Sequence, residues 1–570
     1  MKKPKDVVTR RISVLIFIFF ICGGVVIARL FSIQVKNYSY FKSLAQRQHI
    51  VEEVLQAKRG RIFFSDESTL LAESEGTKKV YAAPREIKDP QKLASLLAPL
   101  LKKDKEEIFK KISQKEDPWV FLGEVSLDVA EKMKDFIGIH FESNYTRFYP
   151  EGKMASHVLG FCNKQNQGQY GIEGYFQEIL RGKDGFRRGM VDAQRRPIFS
   201  PFNEIKDPID GADIVLTLDY DIQFFVEGKL DELVKKYKPK SATIIVSNPK
   251  TGEILAMASR PAFDPNRYFK VKKIEIFKNP AVQIPFEPGS IFKPITMAGA
   301  LEEKVVTPQT TYIDKGKIKI GRYTIKNADL KAHGKKTMTQ VLEYSLNTGA
   351  VFVEQKLGNK KFLEYVKKFG FGKKTGIKLF GEKSGNLSNI LHPRSKEKKI
   401  EFANASFGQG IMVTPIQIVQ AFSAIANQGK MMKPYIVKKI IYPDGKEKIF
   451  KPKVARQVLS PETALSLTAM MVSVVKNGYG KKAGVKGYLI AGKTGTAQVP
   501  WSYLGIQKPG YSGVTIHSFV GFAPAFDPKF LIFLKMDYPK GVRFAADSLA
   551  PVFHDIAEYL FTYFGIPPEK

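Results

Sequence analysis

Glu287-Pro-Gly-Ser-Ile-Phe-Lys293 sets a turn directly before an apolar helical run, Ile291 to Leu301, whose one breaker is Pro294 in the first turn. Proline is tolerated there because the first amides of a helix have no internal partner. Ser290 is therefore expected at the N-terminus of a buried helix. Lys293, three residues on, lies on the same face, where its amine can reach the serine oxygen. A serine hydroxyl is a weak nucleophile until a base takes its proton. Lysine serves as that base when burial or a second cation depresses its pKa.

Two later stretches have the chemistry to complete such a site. Glu343-Tyr-Ser-Leu-Asn347 ends a helical run and precedes Thr348-Gly349. A hydroxyl and a carboxamide two residues apart in a bend can point into one cleft, Ser345 to relay a proton and Asn347 to donate to a substrate amide. Alone, the same letters describe a helix C-cap. Lys493-Thr-Gly-Thr496 follows Tyr488-Leu-Ile-Ala-Gly492 and runs on into Ala497-Gln-Val499, a strand pattern whose edge can dock an extended peptide. Lys493 supplies positive charge, the Thr494 and Thr496 hydroxyls can hold a terminal carboxylate, and backbone N–H groups can stabilise an oxyanion. Gly495 permits close backbone approach.

None of these strings is specific alone. Ser-x-x-Lys recurs at Ser395–Lys398 and Ser473–Lys476, Lys-Thr-Gly at Lys250–Gly252 and Lys374–Gly376, and Ser-x-Asn at Ser384–Asn386. Context separates them. Ser395–Lys398 sits in the polar run Arg394 to Lys399, and Ser473–Lys476 on an ordinary helix ending at Asn477-Gly478. The other three read as a hairpin tip and loops.

At 570 residues the chain is too long for one ordinary core, so two or three domains are expected. Its 44% hydrophobic and 26% charged content describe folded material. The net charge of +34 reads either as a solvated basic surface or as attraction to an anionic partner, membrane headgroups or a polyanionic wall. Nucleic acid is disfavoured, for there is no zinc-finger spacing, no RNP-like aromatic motif and no single basic tail. Cys22 and Cys162 make no disulfide framework. His49, His140, His157, His333, His392, His517 and His554 are scattered without a ligand spacing, so neither a metal nor a cofactor is expected.

Residues Ile12 to Ala28 carry no charge, and apolar character continues to Val35. Lys2, Lys3, Lys5, Arg10 and Arg11 precede this segment, which by the positive-inside rule holds the N-terminus in the cytoplasm. Val26-Ile27-Ala28-Arg29 offers no small-x-small cleavage site, so an uncleaved anchor is expected rather than a signal peptide. The rest would be extracytoplasmic. The expected organisation is a cytoplasmic tail over 1–11, a transmembrane anchor over 12–35, a pedestal over 36–215 and a catalytic domain over 216–570. In the pedestal, Ser126 to Phe136 reads as a short amphipathic helix. The second half opens with Ile214 to Asp219, a helical pattern from Tyr220 to Tyr237, and two apolar runs around Asn248-Pro-Lys-Thr-Gly252. A second such pair, His517 to Ala523 and Phe530 to Met536, precedes a helical stretch from Ala546 to Phe564. Hairpins flanking helical material predict an α+β fold with an antiparallel sheet packed between helices.

The three motifs in this order resemble those of the class B penicillin-binding proteins, the monofunctional peptidoglycan D,D-transpeptidases. The likeness extends to Arg59-Gly-Arg-Ile62, Arg147-Phe-Tyr-Pro150, His157-Val-Leu-Gly160 and Tyr170-Gly-Ile-Glu173 in the pedestal. It also takes in Thr217-Leu-Asp219 with Gln223, Asn248 to Ser259, Phe407-Gly-Gln-Gly410, Thr414-Pro-Ile-Gln417 and Phe519 to Pro524. The resemblance implies that Ser290 attacks the D-Ala-D-Ala bond of a stem peptide with Lys293 as general base. It assigns the second motif to Ser345 and Asn347 and the third to Lys493, Thr494, Gly495 and Thr496. β-Lactams would trap the same serine. Glu287 to Ser290 and Val520 to Pro524 look most like the septal, FtsI-type branch. For that branch the resemblance implies an FtsW-type glycosyltransferase and small divisome proteins as partners, at the cytoplasmic (inner) membrane. Glu116-Asp117 with Phe121 lacks the His and Gly of a glycosyltransferase motif, so a bifunctional enzyme is disfavoured. No repeat-like extension follows the final helix, and no appended C-terminal domain is expected.

Three alternatives stay open on the sequence. A D,D-carboxypeptidase or β-lactamase uses the same motifs with water in place of the amine. An elongation-type transpeptidase differs in place rather than chemistry. A non-catalytic divisome scaffold would keep the fold, although intact Ser290, Lys293 and Lys493 argue against it.

Overall fold

The computed structural model describes residues 4–41, 50–191, 197–198, 204–394 and 399–569. Lys2, Lys3, His49 and the Ser395–Lys398 string lie outside the described residues. The chain forms two compact units, one of Met1–Ala57 with Lys183–Asp210 and the other of Lys58–Gly182 with Gly211–Lys570. In the first unit, α1 (Pro4–Phe31) runs into a π-helical turn, Ser32–Lys36. Val8–Lys36 is long and apolar enough to cross a membrane, and Phe17, Phe19 and Phe20 stand exposed along it. An apolar helix with no buried face has lipid as its natural solvent. The same unit holds a small antiparallel sheet of Ile50–Leu55, Gly185–Val191, Pro197–Ile198 and Glu204–Lys206.

The second unit is built around two sheets. In one, the long strand Leu70–Ala82 pairs with Val120–Ser126 on one side and Ile139–Phe148 on the other. This sheet continues through Ile62–Phe63 and Asp213–Leu216 to Val437–Ile441, so residues far apart in sequence share one hydrogen-bonded ladder. The helix expected over Ser126 to Phe136 is shorter. Leu127–Glu131 is helical, and the chain then turns so that Met133 buries beside Ala130 and Ile139.

Three sequence motifs of this region meet at one buried carboxylate. Glu173, fully buried, accepts from Arg59 Nε at 2.6 Å, Arg147 Nε at 2.7 Å and the Tyr149 hydroxyl at 3.2 Å. Burial pushes its pKa up, but the Arg147 and Arg59 guanidiniums outweigh burial and hold it below the usual range. Tyr149 also exchanges two backbone hydrogen bonds with the Asn266 side chain, and the His157 carbonyl accepts from Asn279 Nδ2 at 3.2 Å. The cluster therefore ties the first half of this unit to the second.

The second sheet has strands β1 (Ser241–Ser247), β2 (Ile254–Arg260), β3 (Ala491–Pro500), β4 (Tyr511–Ala523) and β5 (Phe530–Asp537). They are antiparallel in the order β2-β1-β5-β4-β3. Both hairpins expected from sequence are present, around Asn248–Gly252 and between Ala523 and Phe530. Asp219 caps α2 (Tyr220–Tyr237) by accepting from Ile222 N. Then follow α3 (Lys293–Glu302), α4 (Met338–Glu343), α5 (Asn347–Leu357), α6 (Pro415–Ala426), α7 (Pro461–Lys476) and α8 (Ala545–Tyr563). All eight residues of β5 are buried, because helices cover both faces of the sheet. Phe530, Ile532 and Leu534 pack with α2 and α8, whereas Leu531 and Phe533 face the α3 and α6 side, the period-2 alternation of a doubly covered strand. Thr414 and Gln417 form a capping box at the head of α6, whose every residue is buried.

Glu173→Ala should lower the unfolding free energy by about 3–5 kcal/mol, because it strands two buried guanidiniums. Arg61→Ala, which breaks an exposed pair with Asp213, should cost less than about 1 kcal/mol. Urea unfolding of the two variants checks the contrast.

Candidate active site

Ser290 lies in a 3-10 turn, Gly289–Phe292, that leads straight into α3, with Lys293 as the first α3 residue and Pro294 in its first turn. Gly289 has φ +60, and a Cβ there would meet Ala497 of β3 at 2.8 Å. Its N–H donates to the Gly408 carbonyl at 3.0 Å. A side chain at this position would lift the serine turn off the strand. Ser290 lines a cleft of about 800 Å³ together with Asn327, Asn347, Thr496 and Tyr511. It also lines an adjoining cavity of about 320 Å³ with Ser345, Thr494 and Thr496. Among the described residues the Ser290 hydroxyl makes no hydrogen bond.

The second motif ends α4 at Glu343, as expected, and leads directly into α5. Ser345, between α4 and α5, has φ +54, a left-handed conformation that a non-glycine residue rarely adopts. Thr348-Gly349 continues as helix, because Gly349 packs where a Cβ would come within 2.5 Å of Val341. The unusual backbone brings the Ser345 carbonyl and hydroxyl to the same amine. Lys293 Nζ donates to the Ser345 carbonyl, to Ser345 Oγ at 3.2 Å and to Asn347 Oδ1 at 2.8 Å.

β3 is an edge strand, so the third motif presents unpaired backbone on its outer side. Lys493 Nζ donates to Ser345 Oγ at 3.0 Å and to the Thr494 carbonyl at 3.0 Å. Gly495 is required here, since a Cβ would lie 2.4 Å from Ser518 Oγ of β4. Thr496 Oγ1 accepts from Ala545 N at 3.1 Å, fixing the head of α8 beside the cleft. The two lysines are among the most buried in the chain, at 1% and 0% exposure. Burial, and then the charge of Lys493, push the Lys293 amine well below its ordinary value. Burial pushes Lys493 down to about 7.

The remaining repeats of the motif letters do other work. Ser473 Oγ donates to Glu343 Oε1 at 2.5 Å, a contact that packs α7 against α4. Lys250–Gly252 is the β1–β2 hairpin tip, and Asn386 accepts from Ser388 N in a turn. His517 is wholly buried, lowered to about 4 by burial and hydrogen-bonded to Ser548 at 2.8 Å, a neutral core histidine.

Residues 242–558 match the model of the penicillin-binding protein transpeptidase domain, and residues 54–216 that of the penicillin-binding protein dimerisation domain. The chain is 37% identical to stage V sporulation protein D of Bacillus subtilis over 88% of this chain and 77% of that protein. It is 31% identical to the peptidoglycan D,D-transpeptidase FtsI of Buchnera aphidicola, over 81% and 78% of the two chains. The solved structure of penicillin-binding protein 3 from Mycobacterium tuberculosis, complexed with ampicillin, superimposes with a TM-score of 0.70 at 28% identity, over 90% of this chain and 97% of that one. The chain belongs to the class B penicillin-binding proteins.

In this class B penicillin-binding protein, the sequence motifs omit the residues that hold the second motif in place. Asn327, buried, accepts from Asn347 N at 3.0 Å and Thr348 N at 3.3 Å, and donates to Asp314 Oδ2 at 2.8 Å. Asp314 in turn accepts from the Thr348 hydroxyl at 2.8 Å. The Lys326 carbonyl takes one N–H of the Asn347 carboxamide at 2.9 Å. These residues come from short polar strands with no helical or strand periodicity strong enough to single them out. Glu287 was quoted in the sequence as part of a turn, yet it is buried, accepts from the Tyr511 hydroxyl at 3.1 Å, and is raised to about 7 by burial.

Asn327→Ala leaves two backbone donors and Asp314 unsatisfied beneath Asn347, and should cost about 1–3 kcal/mol of stability. It should also slow acylation by a fluorescent penicillin at temperatures where the variant is fully folded. An unchanged acylation rate would remove Asn327 from the support of the site.

Proposed function

We propose that the chain is a serine D,D-transpeptidase that cross-links peptidoglycan stem peptides through an acyl-enzyme on Ser290, and that β-lactams acylate the same oxygen. The observation that carries this reading is the convergence of two buried lysine amines on one serine hydroxyl, beside a cleft lined by Ser290. Both amines bond Ser345 Oγ, at 3.2 and 3.0 Å, so they lie no more than about 6 Å apart, where two unit charges repel by about 3 kcal/mol or more at an effective dielectric near 20. Burial adds to that, so the Lys293 amine gives up its proton far more readily than an ordinary lysine. On Lys293 the Ser345 carbonyl and Asn347 Oδ1 are pure acceptors and occupy two N–H groups of the neutral amine. The lone pair is left for a hydroxyl.

The steps follow from that arrangement. Lys293 takes the Ser290 proton as the serine oxygen bonds to the penultimate D-Ala carbonyl carbon. Backbone N–H groups at the serine turn and β3 stabilise the oxyanion, and Thr494 and Thr496 hold the terminal carboxylate. The C–N bond breaks, and the proton passes through Ser345, between the two lysines, to the departing D-Ala. An amine from a neighbouring strand then attacks the ester, giving its proton back along the same path and regenerating Ser290. Asn347 keeps one N–H for the substrate amide.

The cellular setting belongs to the same proposal. The likeness to FtsI and to a sporulation protein supports a septal role with an FtsW-type glycosyltransferase and divisome proteins. The apolar helix preceded by Arg10 and Arg11 supports a single-pass anchor with the N-terminus in the cytoplasm and the catalytic domain outside. The matched ranges support reading 36–215 as pedestal and 216–570 as catalytic domain.

Ser290→Ala should abolish labelling by a fluorescent penicillin, and Lys293→Arg should reduce it by about 10²-fold or more, because a guanidinium stays protonated. Equal labelling of Ser290→Ala and wild type would discard the nucleophile. With lipid-linked stem peptides, cross-linked products are expected; release of D-Ala alone would indicate hydrolysis instead. The acylation rate should rise with pH as Lys293, held well below its ordinary value by burial and by Lys493, loses its proton, and should already be high below the range of an ordinary lysine amine. A rate that rises only above about pH 9, where an ordinary lysine amine titrates, would contradict the base assignment.

A further inference from the structure

The Lys374-Thr-Gly376 string, which takes no part in the candidate active site, opens onto a further cavity within the same unit. It is about 280 Å³ in volume and is lined by Lys373, Lys374, Lys433, Lys453 and Arg456 together with Thr375. Half of its ten lining residues are basic, against 90 of 570 in the whole chain, and none is acidic. Among the described residues none of the five cations makes an ion pair. A solvated basic surface ordinarily intersperses carboxylates with its lysines, and this pocket does not.

The frame of the pocket is built by specific contacts. Gln417, at the head of α6, donates to the Lys373 and Ser384 carbonyls at 2.8 and 2.9 Å. The Glu382 carboxylate sits behind the loop and accepts from Thr375 N and Oγ1, both at 2.6 Å, and from Gly376 N at 3.1 Å. The loop amides are thus satisfied internally, and the side-chain cations are left over. Lys433 N donates to the Lys453 carbonyl at 2.8 Å, fixing those two residues side by side. The Lys433 amine lies 3.0 Å from where a Gly376 Cβ would stand, so glycine lets it approach the loop. An independent sign of uncompensated charge is Lys378, lowered first by partial burial and then by its neighbours Lys448 and Lys433.

We propose that this pocket binds a ligand through its phosphate group. Four lysines and one arginine lining the cavity with no lining carboxylate match the several oxygens of a phosphate better than the two of a carboxylate. The volume suits a phosphate headgroup and excludes a stem peptide. No aromatic side chain lines the pocket, which removes the stacking platform a nucleic-acid strand needs. The chemistry is shared by a diphosphate ester and by a phosphodiester headgroup.

The test is calorimetric titration of the detergent-solubilised full chain with inorganic pyrophosphate and, separately, with glycerophosphoglycerol. At least one should bind, more weakly as salt is raised. The Lys433→Gln/Lys453→Gln/Arg456→Gln variant should lose about tenfold or more in affinity while its acylation by a fluorescent penicillin stays at the wild-type rate. Arg456→Gln alone, on an exposed residue, should give a smaller loss in the same direction and serves if the triple variant expresses poorly. Preference for pyrophosphate assigns the site to a diphosphate ester, and preference for glycerophosphoglycerol to a phosphodiester headgroup. No binding of either probe, or equal affinity for wild type and variants, overturns the proposal.

Discussion

Two lysine amines buried on a single serine hydroxyl are the constraint to which the catalytic half of the molecule answers. Neither amine can be placed there cheaply, since burial of an ammonium and repulsion between two of them both oppose the charged state. The fold meets this by giving Lys293 and Lys493 pure acceptors as partners, the Ser345 and Thr494 carbonyls and Asn347 Oδ1. It also holds Ser345 at a positive φ, a local strain that turns carbonyl and hydroxyl toward the same nitrogen. Reactivity and strain thus share one residue.

Everything that positions this contact comes from three different structural layers. The serine turn is seated on β3 through Gly289, the second motif is hung from Asn327 and Asp314, and β3 is the edge of a sheet whose central strand is wholly buried. The Glu173 cluster does similar work at a distance. It joins Arg59, Arg147 and Tyr149 around one carboxylate and links that region through Asn266 and Asn279 to the segment preceding the serine turn. The pedestal motifs that resemble the family are therefore an ion cluster with a mechanical role, not a second active site.

Much of this was legible in the residues. The α2 helix behind Asp219, both hairpins, the apolar N-terminal helix and α8 follow from periodicity and turn chemistry, which are local. The catalytic letters were legible because their order is unusual, although each string recurs. What separated Ser290 from Ser473 in the structure is environment: Ser473 is held by Glu343, whereas Ser290 opens onto a cleft. The continuation of Thr348-Gly349 into α5 escaped notice because an Asn-Thr-Gly sequence reads equally as a cap, and the close approach of Val341 that favours glycine there is a tertiary fact. Asn327, Asp314 and the burial of Glu287 were invisible for the same reason, being lone polar residues whose partners lie elsewhere in the chain.

Patterns spanning a few neighbouring residues were enough to single out a candidate nucleophile and base and to give the membrane-length helix and the class of fold, because turns, caps and apolar periods act over short range. They could not say that Lys293 and Lys493 would share one oxygen, that three N-terminal motifs would close on Glu173, or that five cations would line the cavity at Lys374. Those outcomes depend on burial and on charge at a distance, and both exist only once separate stretches of chain have been packed together.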